Sequence, residues 1–216
     1  MKELLTIVVS VVFTSFSLFA QNTKDPQALK VLDAMSAKYK QIPAFTAQFK
    51  YQLENTATKQ KESMEGKITV KDNQYHLDMG DQEIFNNQKT VWTYIKSINE
   101  VTITEYEPDP EEVNITDLHS IYKDGYKYRL NGNEKVNNKD CSIVELHPED
   151  RNLSFFQITL YISKSDNTIQ QWKIFEKNGR SYEFLVKNFT SNVSVSDSDF
   201  VFNKSKYPGV EEIDLR

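Results

Sequence analysis

Cysteine occurs once in these 216 residues, at Cys141, so the chain can close no internal disulfide and offers no paired thiols to a metal. Its setting, Asp140-Cys141-Ser142-Ile143-Val144, reads as a strand, and a small buried hydrophobe is the expected role. Histidine is almost as scarce. His76, His119 and His147 fall in different elements and show no i, i+4 pair of the zinc-binding kind. Nucleophile elbow, P-loop and dinucleotide fingerprint are all missing. Carboxylates cluster at Glu111-Glu112, Glu149-Asp150 and Glu211-Glu212, but in turns and chain ends, where a solvated surface is the expected reading. An enzyme is therefore not expected, and neither a cofactor nor a metal; a hydrolase using scattered carboxylates and a histidine is the minor alternative. Charge of one sign is not concentrated anywhere. The 26 basic and 31 acidic residues are mixed along the chain, the net charge is −5 and the pI is near 5.3, which exclude a nucleic-acid partner.

Long apolar runs are also lacking, with one exception. Met1-Lys2-Glu3 is followed by an apolar stretch from Leu4 to Ala20, and the chain turns polar at Gln21-Asn22-Thr23-Lys24. That order predicts a secretory signal over 1–20 with cleavage after Ala20, leaving 21–216 as a single domain in the periplasm. A retained membrane anchor is the rival reading, because the run lies at the lower edge of spanning length. No cysteine follows the run, so an acylated N-terminus is not expected. What remains is rich in apolar and aromatic residues, at 38% and 12%, which excludes a disordered chain.

The period of those apolar residues changes sharply along the chain. Asp25 can cap a helix, Pro26 suits its first turn, and Leu29, Leu32, Met35, Tyr39 and Ile42 recur at helical spacing; Pro43 ends it. A helix over 25–42 is predicted. From Phe45 the period is two: Phe45, Ala47, Phe49, Tyr51 and Leu53 alternate with polar neighbours. The alternation returns at Met64–Val70, Tyr75–Met79, Ile84-Phe85, Val91–Tyr94, Val101–Thr104, Tyr126–Leu130, Ser142–Leu146, Phe156–Ile162, Ile169–Phe175 and Tyr182–Phe189. About ten or eleven short strands at near-regular spacing predict a mainly β fold, an incomplete and strongly curved antiparallel barrel. Pro108 and Pro110 interrupt the series, and Ile115, Leu118, Ile121 and Tyr122 then return to helical spacing. A short helix over 114–122 is expected there, laid as a lid on the mouth of the sheet.

The order of several short pieces resembles the family of periplasmic outer-membrane lipoprotein carriers typified by LolA, over roughly residues 25–213. Phe45-Thr46-Ala47-Gln48-Phe49 is similar to its opening strand, followed by Glu65-Gly66-Lys67-Ile68 and by Gln88-Lys89-Thr90-Val91-Trp92-Thr93-Tyr94. Asp199-Phe200-Val201-Phe202 and Tyr207-Pro208-Gly209-Val210-Glu211-Glu212-Ile213 are similar to its closing segments. The resemblance implies a monomeric carrier that takes acylated lipoproteins from an inner-membrane lipoprotein-releasing ABC transporter and shields their acyl chains on the way to the outer membrane. Whether a separate outer-membrane acceptor exists is left open by the resemblance. A periplasmic lipid or lipoprotein sensor with a related curved sheet is the alternative. The expected acyl-chain cavity is lined by Phe49, Tyr51, Ile68, Leu77, Met79, Ile84, Trp92 and Tyr94, with Leu118 and Ile121 on the lid; an ordinary packed core is the competing reading of the same residues. One departure stands out. Where the family often carries an Arg that helps to hold the lid, this chain has Lys71-Asp72-Asn73, with Asp72 at the matching position and no planar donor fork.

Overall fold

A computed structural model describes residues 24–109 and 113–216. The signal-peptide expectation over 1–20 lies outside the described residues. Helix α1 spans Pro26–Lys40. Twelve strands follow: β1 (Ala44–Asn55), β2 (Gln60–Lys71), β3 (Gln74–Met79), β4 (Gln82–Asn86), β5 (Thr90–Ile95), β6 (Glu100–Glu105), β7 (Tyr126–Val136), β8 (Lys139–Pro148), β9 (Phe155–Ser163), β10 (Ile169–Glu176), β11 (Arg180–Ser191) and β12 (Glu211–Asp214). They form one sheet in the order β12-β6-β5-β4-β3-β2-β1-β11-β10-β9-β8-β7, so the ends, β12 and β7, do not meet. The curved, unclosed sheet with an N-terminal helix is the expected fold. The pairing is antiparallel except at the last strand, where β12 runs parallel to β6. Extra residues interrupt the ladder between Gln48 and Phe49, against β11, and between Leu130 and Asn133, against β8. Such bulges bend a strand and sharpen its twist, as a half-closed sheet requires.

The helix is docked by its cap. Asp25 Oδ1 accepts from the Gln27 N–H at 2.8 Å, satisfying a free donor of the first turn. Its Oδ2 accepts from Leu130 N–H at 3.0 Å, and the Asp25 N–H donates to Tyr128 O at 3.1 Å. One carboxylate thus caps α1 and ties it to edge strand β7. The Leu130 amide is the main cause of its lowered pKa. The buried stripe of α1 is Ala28, Leu32 and Met35, whereas Leu29, expected inward, is exposed. The helix also stops at Lys40 rather than 42, with Gln41 as its C-cap.

That stripe lies on the concave face of β7–β10, against Val144, Leu146, Ile158, Leu160 and Ile162, all fully buried. The same face continues across β11, β1 and β2 through Val186, Phe49, Ile68 and Val70. On the opposite, convex face at the β12 end, Phe85, Tyr94 and Val101 pack under Phe202 and Val210 of the C-terminal segment. Cys141 is buried in a third cluster with Val136 and Tyr161, where burial pushes its thiol pKa up.

Candidate functional site

The register settles which face each expected residue occupies. Ala47, Ile68, Leu77 and Ile84 are direct cross-strand partners in turn, and Ile84 stands opposite Thr93. All four therefore share the concave face, because cross-strand partners point the same way. Phe85 pairs with Trp92, and Glu83 with Tyr94, one residue out of phase. Trp92 and Tyr94 consequently face the convex side, against the expectation. The reason lies in the β5 segment Val91-Trp92-Thr93-Tyr94: its bulky aromatics sit on one parity and its smaller residues on the other, and both parities carry apolar weight. Apolar content alone points to the aromatic parity as the inner one, but the C-terminal segment provides a second hydrophobic cover on the outside. Phe202 and Tyr207 lie against Tyr94, at ring distances of 5.8 and 4.6 Å.

On the concave face a cavity of about 50 Å³ opens between the sheet and residues 115–119. Phe49 and Ile68 line it, as does Leu118. Tyr51, Leu77 and Met79 pack at the edge of the same cluster, half-buried, and Ile84 lies half-buried beside Leu77. They form an apolar trough running from the cavity across β1–β4 that no helix among the described residues covers. Ile121 packs into the neighbouring core beside Leu118 rather than lining the cavity. Residues not foreseen complete the wall: Phe45, Ala47, Val70, Ile169, Val186 and Phe189 from the sheet, Tyr39 from α1, and Ile115, Thr116 and His119 from the covering segment. Trp172 is the cavity tryptophan; it stacks on Phe184 at 4.6 Å with the rings 9° from parallel. The alternation of β10 contained that signal, since Trp172 and Ile174 lie on one parity.

Phe49 reaches its place because of a glycine. Its partner across the β1–β2 ladder is Gly66, and a Cβ there would lie 2.5 Å from Phe49 Cζ and 3.2 Å from the Asp78 carbonyl oxygen. The ring lies over bare backbone, which only glycine supplies.

The covering segment is a strap of turns, not the expected helix over 114–122: single bonds from Asp117 N–H to Asn114 O and from the Ser120 and Ile121 N–H groups to Asp117 O close successive turns, and the one regular piece is a 3₁₀ turn at Ile121–Lys123. Asn114 opens the segment: its side-chain oxygen accepts from the Thr116 N–H at 3.0 Å and from the Thr116 hydroxyl at 2.8 Å, the same i to i+2 bond with which Asp25 caps α1. The strap is closed without an arginine. Leu118 is 3% exposed, the Tyr122 hydroxyl donates to Asp33 Oδ1 on α1 at 2.6 Å, and His119 stacks on Tyr39 with ring centroids 5.7 Å apart. Burial, then the Asp33 carboxylate, push the Tyr122 pKa up to about 12, so that hydroxyl stays a donor. Asp72 sits in the β2–β3 turn with φ of 52°, and Lys71 donates to Asp197 at 2.6 Å, on the C-terminal side of the molecule. Neither takes the place of a lid-holding arginine; that role falls to α1.

Comparison with known proteins now places the chain. The family model described as "Outer membrane lipoprotein carrier protein LolA" matches residues 16–171. The chain belongs to this LolA family. Among solved structures, an uncharacterized conserved protein from Thermus thermophilus superposes with a TM-score of 0.54 at 12% identity, covering 87% of this chain and 99% of that one. The likeness is one of fold. LprF from Mycobacterium bovis follows at 0.49 and 14%, covering 80% and 97% of the two chains. A putative outer membrane lipoprotein-sorting protein domain from Vibrio parahaemolyticus is at 0.44 and 14%, covering 83% and 99%. A search of curated proteins finds no match. No helix among the described residues is long and apolar enough to cross a membrane, which says nothing of strands.

Proposed function

We propose that this LolA-family chain is a periplasmic carrier that shields the acyl chains of lipoproteins on its concave face. It receives them from an inner-membrane lipoprotein-releasing ABC transporter and passes them towards the outer membrane. The observation that carries this reading is a small apolar cavity that continues into a half-buried apolar trough. Each methylene removed from water contributes about 0.8 kcal/mol, so a multi-chain anchor needs such a surface to cross an aqueous space. The cavity of about 50 Å³ is small beside a multi-chain anchor. On this reading cargo enters as the strap is displaced. Leu118 gives up its contacts with the wall and acyl groups replace them, which keeps the net cost of opening low. Thr93, Thr102 and Thr104 continue the concave face beyond Ile84 by register, so the apolar tract ends before β6.

The test uses purified protein with spheroplasts that retain labelled lipoprotein. The protein is expected to release it, and Leu118→Glu to release much less while keeping its circular dichroism. Acyl binding should shift Trp172 emission, so the response should vanish in Trp172→Phe and persist in Trp92→Phe. Acyl binding without lipoprotein release points to the sensor instead. Release unchanged by Leu118→Glu, with Trp172 blind to acyl ligand, overturns the strap–cavity mechanism.

A further inference from the structure

The cavity wall is hydrocarbon except where the strap meets α1. There Tyr39, Thr116 and His119 stand together. His119 Nδ1 lies 3.1 Å from the Thr116 carbonyl oxygen. A carbonyl only accepts, so Nδ1 carries the proton and the distal Nε2 is a bare acceptor. Burial favours this neutral form by lowering the imidazole pKa. The Nδ1 bond ties the near side of the ring to the strap backbone, and the stack on Tyr39 fixes its plane. Nε2 takes no hydrogen bond from the described residues and is not among their buried unpartnered side-chain atoms, so it is left to water. The Tyr39 hydroxyl takes the Ile169 N–H at 3.2 Å and keeps its own proton to give. An acceptor and a donor thus share one corner of a greasy wall. Pure hydrocarbon filling that corner would strip Nε2 of water and return nothing, which penalises binding.

The geometry points to His119 as a specificity-determining residue: acyl chains bearing a hydrogen-bond donor beside the carbonyl end are bound in preference to chains bearing none. The inference rests on the carrier reading above. Two ligands share this chemistry, an amide-linked chain through its N–H and a hydroxylated chain through its O–H. The amide carbonyl can also accept from Tyr39, whereas a simple ester has nothing to give Nε2.

The experiment titrates the protein with three matched probes, following Trp172 emission: N-methyl dodecanamide, methyl dodecanoate and a β-hydroxylated dodecanoate ester. Wild type is expected to bind the amide roughly 3- to 10-fold tighter than the plain ester, the worth of one net hydrogen bond. In His119→Phe, which keeps the ring stacked on Tyr39, the ratio should fall to near one. In His119→Gln, which restores an acceptor, part of it should return. A hydroxyl arm that follows the amide assigns the donor to either source; one that follows the plain ester assigns it to the amide. Equal affinity for amide and plain ester in wild type overturns the inference even if both variants fail to fold, and so does a preference that survives His119→Phe. If no probe binds at all, the carrier reading falls and takes this one with it.

Discussion

The two halves of the concave face make opposite use of one pattern. Across β7–β10 the inward apolar side chains lie beneath α1, and Val144, Leu146, Ile158 and Leu160 are fully buried. Across β1–β4 equally apolar inward positions, Tyr51, Leu77, Met79 and Ile84, stay half-buried because no helix among the described residues reaches them. Alternation thus makes a core where something lies on the sheet and a groove where nothing does. α1 is held over one half by Asp25 on the β7 edge, which decides which half stays open.

The sharpest break in that comparison is a pair of truncations. Leu160→Ala under α1 should cost about 2–5 kcal/mol of stability, the range for core leucines. Leu77→Ala in the trough should cost about 1 kcal/mol or less, as for a partly exposed site. Urea denaturation of both proteins checks this, and similar losses would mean that the trough is core. Gly66→Ala tests the cavity wall within the β1–β4 half. A methyl 2.5 Å from the Phe49 ring forces that ring aside, and a loss of about 1–3 kcal/mol is expected. Full wild-type stability would show that the wall repacks freely around Phe49.

The smallest effect concerns the strap and acid. Burial lowers the pKa of His119 against Tyr39. The unfolded chain binds a proton first, below the ordinary histidine value of ~6.5. Stability from the neutral ring is therefore full above that pH and is lost as pH falls towards the lowered folded value. His76, stacked on Phe85 at 4.1 Å and also lowered by burial, shifts stability in the same sense. Thermal midpoints measured from neutral to mildly acidic pH should fall, and fall less in His119→Phe. A slope identical to wild type would mean that the His119 ring is solvated.

Much of this is legible in residues alone. The change of period at Phe45 marks where helix gives way to sheet, and the pieces from Phe45 to Tyr94 lie within the residues that the family model matches. Phe49, Ile68 and Leu118, expected from their spacing, do line the cavity. Trp92 and Tyr94 do not, because their strand is apolar on both parities, and its second cover arrives from residues about a hundred positions later. The apolar spacing of the strap and the capping bond of Asn114 both fit a helix, yet the segment closes as successive turns, and no residue in it signals the difference.

The sequence by itself determined the elements and the two faces of most strands, because a period of two or 3.6 is a local property of which side chains avoid water. Only the tertiary structure decided which apolar face is covered. That depends on contacts between residues far apart in the chain: Asp25 with Leu130, Tyr94 with Phe202, Asp33 with Tyr122. Apolar patterning shows that a face prefers to leave water; it does not show whether a helix, a strap or a bound chain will cover it.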